Sequence, residues 1–261
     1  MLITYDFFST FERIKINRVK KLIITPIFFL CLGAHIAFAQ EQLQFEKKEI
    51  QFGELYNPTE NTVYIYLQFE IPISPCDTAL QHIRTQILSK IFETPTDSII
   101  TDSATLVHLF IGEGAGDILE ADWHVNYEKT INGRVAFSNI NIVSYAVGGY
   151  EYSGGAHGYT SLYYFVFDLK TGKRLTEADI FTGNYEEVLT KILLKKLESE
   201  DCFAGFYIDK VRPNGNFFIN EKGITYFFNS YEIAAYACGN FEVFIPFEEL
   251  HTMMQRNLFA N

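Results

Sequence analysis

The stretch VYIYLQFEI alternates Val63, Ile65, Leu67, Phe69 and Ile71 with Tyr64, Tyr66, Gln68 and Glu70. On a helix those apolar residues would scatter around the circumference, whereas a strand sets them all on one face. The chain must therefore build a sheet with one face turned to a core, and something must cover that face. Composition agrees: 25 Phe and 16 Tyr stand against one Trp, and rings of this kind pack well on a pleated surface. A cover follows directly in CDTALQHIRTQILSKIF, where Leu80, Ile83, Ile87 and Ile91 recur at helical spacing behind Asp77, a residue type that caps helix N-termini.

The rest of the chain alternates between the two periods. Asn57-Pro58 is read as a turn from an earlier strand near residues 45–55. Residues 97–129 are expected to be helical in part, broken by GEGAG at 112–116. Asn132-Gly133, a dipeptide suited to tight hairpin turns, predicts a hairpin joining HVNYEKTI to RVAFSNINIVSYAV. TSLYYFVFDL, NFFI, ITYFFN and FEVFIP read as strands, YEEVLTKILLKKLESE as a helix, and residues 247–255 as a closing helix. This order predicts an α+β fold, with antiparallel sheets, packed helices and two small sub-domains over 40–149 and 150–261.

The N-terminus reads as an export signal. Arg13, Lys15, Arg18, Lys20 and Lys21 precede the apolar run LIITPIFFLCLGAHIAFA, and Ala37-Phe38-Ala39 gives the small-x-small pattern of a cleavage site. Residues 1–39 are thus expected to leave as a signal peptide cut after Ala39, for a periplasmic or cell-surface protein with no membrane span afterwards. An uncleaved anchor is the alternative. The chain holds 21 Lys and Arg against 32 Asp and Glu; five basic and two acidic residues precede Gln40, leaving 16 against 30 and a net charge of −14. That balance disfavours nucleic acid, whose phosphates need a basic surface, and it steers cationic partners inward. Of the cysteines beyond Ala39, Cys76, Cys202 and Cys238, the pair Cys202–Cys238 is the expected disulfide. The scattered histidines and the lack of a Cys-x-x-Cys motif suggest no metal site and no cofactor.

Three stretches invite a functional reading. In GGYEYSGGAHGYTS (residues 148–161), His157 has Ser153 four residues upstream and Glu151 six. The surroundings form no nucleophile elbow, so a turn held by His157, or a partner contact, is the expected role and a hydrolase the last alternative. Asp122-Trp123-His124 would split across the two faces of a strand, and Glu186-Glu187 and Glu248-Glu249 sit at helix starts, where they suit the dipole. In FFNSYEIAAYACGN, Tyr231, Glu232 and Tyr236 offer rigid contact area at low entropic cost.

YSGGAHG, then FVFDLKTGKRLTEADIF, then NFFINEKGITYFFNSYEIAAYACGNFEVFIPFEEL, in that order and spacing, resemble the C-terminal domain of RsiV-type proteins over roughly residues 150–252. Residues 45–149 are similar, more weakly, to the small α+β domain that commonly precedes it. Ser230 and Ala235 stand where the family pattern often carries prolines. The family includes a lysozyme-sensing anti-sigma factor, and related domains sit beside peptidoglycan deacetylase modules of the PdaC type. The resemblance implies a non-enzymatic binding module that takes a lysozyme-like hydrolase or another cationic envelope protein, with direct peptidoglycan recognition as the alternative. Ser153, Gly154, Gly155, His157, Tyr231, Glu232 and Tyr236 are the expected contacts.

Overall fold

A computed structural model describes residues 43–56, 61–73, 77–93 and 126–255, all within one compact unit, Gln40–Asn261. Strands β1 (Phe45–Tyr56), β2 (Asn61–Pro72), β3 (Asn126–Ser138), β4 (Ile142–Tyr152), β5 (Tyr159–Asp168) and β6 (Arg174–Leu175) form a sheet in that order. Strands β7 (Phe217–Ile219), β8 (Gly223–Phe228) and β9 (Phe241–Pro246) form a second sheet. Helices α1 (Thr78–Ile91), α2 (Glu177–Ile180), α3 (Tyr185–Leu197) and α4 (Phe247–Leu250) complete an α+β fold.

The alternation at Val63–Ile71 sets the architecture. Val63, Ile65, Leu67, Phe69 and Ile71 are buried, and they pack with Ile83, Ile87 and Ile91 of α1 and with Val143, Tyr145 and Val147 of β4. Helix α1 begins where Asp77 accepts a hydrogen bond from the Leu80 amide at 3.1 Å. Ile142 and Val166 point to the opposite face, joining a second core with α3 and the smaller sheet, where Leu189, Leu193, Phe217, Tyr226 and Ile245 are buried. Residues Ile142–Val147 are consequently buried on both faces. Ser144, fully enclosed there, donates to the Ile219 carbonyl (2.7 Å) and accepts from the Ile219 amide (3.0 Å), tying the two sheets by one hydroxyl.

Three expectations change. The larger sheet is mixed, because β2 and β3 pair in parallel from Thr62↔Asn126 to Phe69↔Gly133. Asn132-Gly133 makes no turn: β3 runs straight through it, and the hairpin to β4 closes at residues 139–141, where Asn139 Oδ1 accepts from the Asn141 and Ile142 amides at 2.8 Å each. Gly133 is there for close approach, since a Cβ would lie 2.5 Å from the Tyr145 hydroxyl and 2.9 Å from Phe69 Cβ. The boundary expected between 149 and 150 falls inside β4, which pairs with β3 on one side and β5 on the other. The expected helical content of 97–125 and the Asp122-Trp123-His124 stretch lie outside the described residues.

Candidate functional site

The β4–β5 hairpin turns through Ser153–Gly158, with Gly154 and Gly155 at φ +96° and +92°, a region costly for residues with a Cβ. Tyr152 Oη donates to the Gly155 carbonyl at 3.1 Å, bracing the turn from its own strand. The Gly158 carbonyl accepts two bonds, from His157 Nδ1 and from Tyr236 Oη, each 3.1 Å long. The two rings stack at 4.0 Å and 12°, and Tyr231 extends the stack, 5.3 Å from Tyr236. Tyr231 is 53% exposed and holds a positive φ of 72°, so the backbone itself turns this ring outward. His157, Tyr231 and Tyr236 are therefore brought together from two loops, while Ser153, Gly154 and Gly155 form the adjoining tip.

A hydrolytic role for His157 needs a nucleophile and an orienting acid. Its Nδ1 is instead engaged by a backbone carbonyl and one ring face by Tyr236. Among the described residues no hydrogen bond joins it to Ser153 or to a carboxylate, and Glu151 turns to Lys129 (3.5 Å) and the Tyr127 hydroxyl (3.4 Å). The described residues contain no group of three or more His, Cys, Asp or Glu side chains able to hold a metal ion.

The segment carrying Tyr231 and Tyr236 is fixed by the cysteine pair named from the sequence and by asparagines that the sequence did not single out. Cys202 and Cys238 form a disulfide, with Cα atoms 5.9 Å apart, beside the short 3₁₀ turn Tyr236–Cys238. Asn240 Oδ1 accepts from both the amide and the hydroxyl of Ser230. Along β5, Asn229 Oδ1 accepts from the Leu162 amide (2.7 Å), Asn216 Oδ1 accepts from the Tyr164 amide (2.8 Å), and both side-chain amides donate to the Leu162 carbonyl. Two asparagines thus imitate a neighbouring strand where β6 is too short to reach. The cue was present in Asn214-Gly215-Asn216 before one Phe pair and Asn229 after another, but it cannot be read without knowing which backbone edge lies opposite.

Glu232 leaves the ring stack and lines a cavity of about 220 Å³ together with Tyr163, Phe165, Arg174 and Asn214. Asn214 Nδ2 and Asn229 Nδ2 each donate to one of its carboxylate oxygens, at 3.1 Å. Burial, with the Glu232 and Glu93 carboxylates nearby, holds the Tyr163 hydroxyl above the ordinary phenol range. The Arg174 guanidinium lies 4.5 Å over the Phe165 ring and donates to the Gly215 carbonyl at 3.3 Å.

A family model described as a protein of unknown function, DUF3298, matches residues 178–248. The chain is similar in structure to a DUF3298 family member from Bacteroides fragilis, at 24% identity and a TM-score of 0.70, covering 82% of this chain and 95% of that one. It is also similar to a DUF3298 family protein from Pseudomonas aeruginosa, at 17% identity and a TM-score of 0.56, covering 84% and 98%. A search of curated proteins returned no match. The likeness carries the α+β fold, and the matched span falls inside residues 150–252, where the resemblance to RsiV-type domains rests.

Proposed function

We propose that this chain is an exported, non-enzymatic binding module of the cell envelope, RsiV-type in its C-terminal half, that takes a cationic protein such as a lysozyme-like hydrolase. The observation that carries this reading is the His157–Tyr236–Tyr231 stack, pinned through one Gly158 carbonyl, with Tyr231 turned outward. Rigid aromatic rings that need no reordering make efficient anchors, and a net charge of −14 beyond Ala39 attracts a basic partner over distance. The disulfide beside the Tyr236 turn fits an oxidising compartment, in keeping with the export signal read at residues 1–39. No described helix is long and apolar enough to cross a membrane.

Titration of the purified protein with lysozyme tests the proposal. Tyr236→Ala and Glu232→Ala are each expected to weaken binding by about tenfold or more. Raising salt from about 20 mM to about 0.5 M should slow association steeply, because the screening length shrinks several-fold. Absence of saturable binding at low ionic strength overturns the reading. Direct peptidoglycan recognition is the second reading, favoured by the outward Tyr231 ring; retention on purified peptidoglycan without lysozyme binding selects it.

A further inference from the structure

The cavity holding Glu232 is lined by two opposite charges that do not neutralise each other. Glu232 is oriented by two amide donors, and Arg174 is drawn the other way, onto the Phe165 ring and the Gly215 carbonyl. Neither side chain forms an ion pair among the described residues. Glu232 is held by two neutral amides, and Arg174 by a ring and a carbonyl with the Glu177 carboxylate also near, so the two cannot collapse together without breaking those contacts. A cavity of about 220 Å³ is small beside the roughly 300–1,000 Å³ of drug-sized ligand sites, which limits an occupant to a compact head group.

A second cavity, of about 260 Å³, shares Phe165 and Arg174 with the first and is lined further on by Phe167, Gln86 and Lys90. Lys90 Nζ sits 4.1 Å over the Tyr163 ring. The two cavities therefore run from a carboxylate, past a guanidinium, to an ammonium, along the edge of β5.

We propose that this double cavity binds a zwitterionic α-amino acid with an acidic side chain: the ligand ammonium meets Glu232, its α-carboxylate meets Arg174, and its side-chain carboxylate reaches Lys90. Each charge on such a ligand finds its opposite, and a carboxylate against the remaining donors of the Arg174 fork forms charge-assisted hydrogen bonds stronger than neutral ones. Glu232 and Arg174 are already held by their hydrogen bonds, which reduces the ordering that accompanies binding. This site shares Glu232 with the lysozyme reading but does not depend on it, because a titration with a small ligand is read without lysozyme.

Calorimetric or NMR titration of the purified protein with L-glutamate is the test. Saturable binding is expected, with a dissociation constant at or below about 1 mM, an affinity within reach of a ligand this small. N-acetyl-L-glutamate, which lacks the ammonium, and Glu232→Gln should each lose about tenfold or more. The α-amide of L-glutamate and Arg174→Gln should lose a similar factor, and L-lysine should bind more weakly than L-glutamate. The ligand variants interrogate the same contacts on unaltered protein, so a substitution that disturbs folding leaves the outcome readable. Failure of L-glutamate to saturate overturns the proposal, as does N-acetylation without effect. L-lysine binding as tightly as L-glutamate overturns the assignment of Lys90.

Discussion

A methyl group at Gly133 would meet Tyr145 Oη at 2.5 Å, Phe69 Cβ at 2.9 Å and Ile91 Cδ1 at 3.2 Å, in the middle of the core under α1. Tyr145 cannot easily retreat, since its hydroxyl donates to the Glu70 carbonyl at 2.6 Å. Gly133→Ala should therefore destabilise the protein by about 1–3 kcal/mol, read as a lower urea midpoint. Ser144→Ala should cost a similar amount, about 1–3 kcal/mol, because it strips a hydrogen-bonding partner from both backbone groups of buried Ile219. Equal urea midpoints for wild type and Ser144→Ala would show that the hydroxyl is dispensable. The Asn132-Gly133 pair also marks where reading by residue type stops. Glycine serves turns and close approaches equally well, and only the ring opposite it decides between them.

At the scale of elements, much that had a local cause was legible, though the Asn139 turn was not. Asp77 and the spacing of Ile83, Ile87 and Ile91 specified α1, and period-2 alternation specified which face of β2 is buried. Neighbours were not legible: alternation says which way a side chain points, never which strand lies alongside, so the parallel β2–β3 pairing stayed hidden. The β-bulge between Val135 and Phe137 is another such case, since it turns Phe137 from the α1 face to the face of the smaller sheet. Of the site, the two loops were legible as unusual segments, but the carbonyl of Gly158 that unites them was not. The disulfide gives this scale its own prediction. Cys202 and Cys238 close a loop of 36 residues' separation, for which chain entropy suggests about 4 kcal/mol. Cys202→Ser should lower unfolding stability by about 2–4 kcal/mol and loosen the Tyr236 turn, with urea curves in the presence and absence of reductant converging for the variant.

Across the whole molecule, acid and alkaline limits arise from different groups. Burial alone would raise the Glu46 and Asp179 carboxyls, but bonds and charge from Lys48 and Arg84, and from Lys173 and Thr176, outweigh it and hold both below their ordinary 4.5 and 3.8. Carboxyls depressed in the fold contribute stability above their unfolded values and lose it as pH falls through the folded ones. The tyrosines act oppositely. Burial pushes Tyr145 and Tyr226 above 10.0, and among the described residues the Tyr226 hydroxyl has no hydrogen-bond partner. Their contribution is complete below pH 10.0 and is lost as pH rises through the folded values. Unfolding free energy should therefore be level from about pH 5 to about pH 9.5 and fall on both sides, and a decline beginning near neutrality would contradict this assignment. Because β4 lends one face to each core, both cores should be lost in a single urea transition.

The parallel pairing of β2 with β3 also fixes an order of events in time. The β1–β2 hairpin is complete once Pro72 has been added, yet the opposite edge of β2 waits for a partner far downstream, as in the Thr62–Asn126 bond between residues 64 apart. Until residues 126–133 arrive, a ready-made row of amides and carbonyls stands open to any other extended chain. Refolding should accordingly be slow for a chain of this size and sensitive to protein concentration, with intermolecular strand pairing as its characteristic failure.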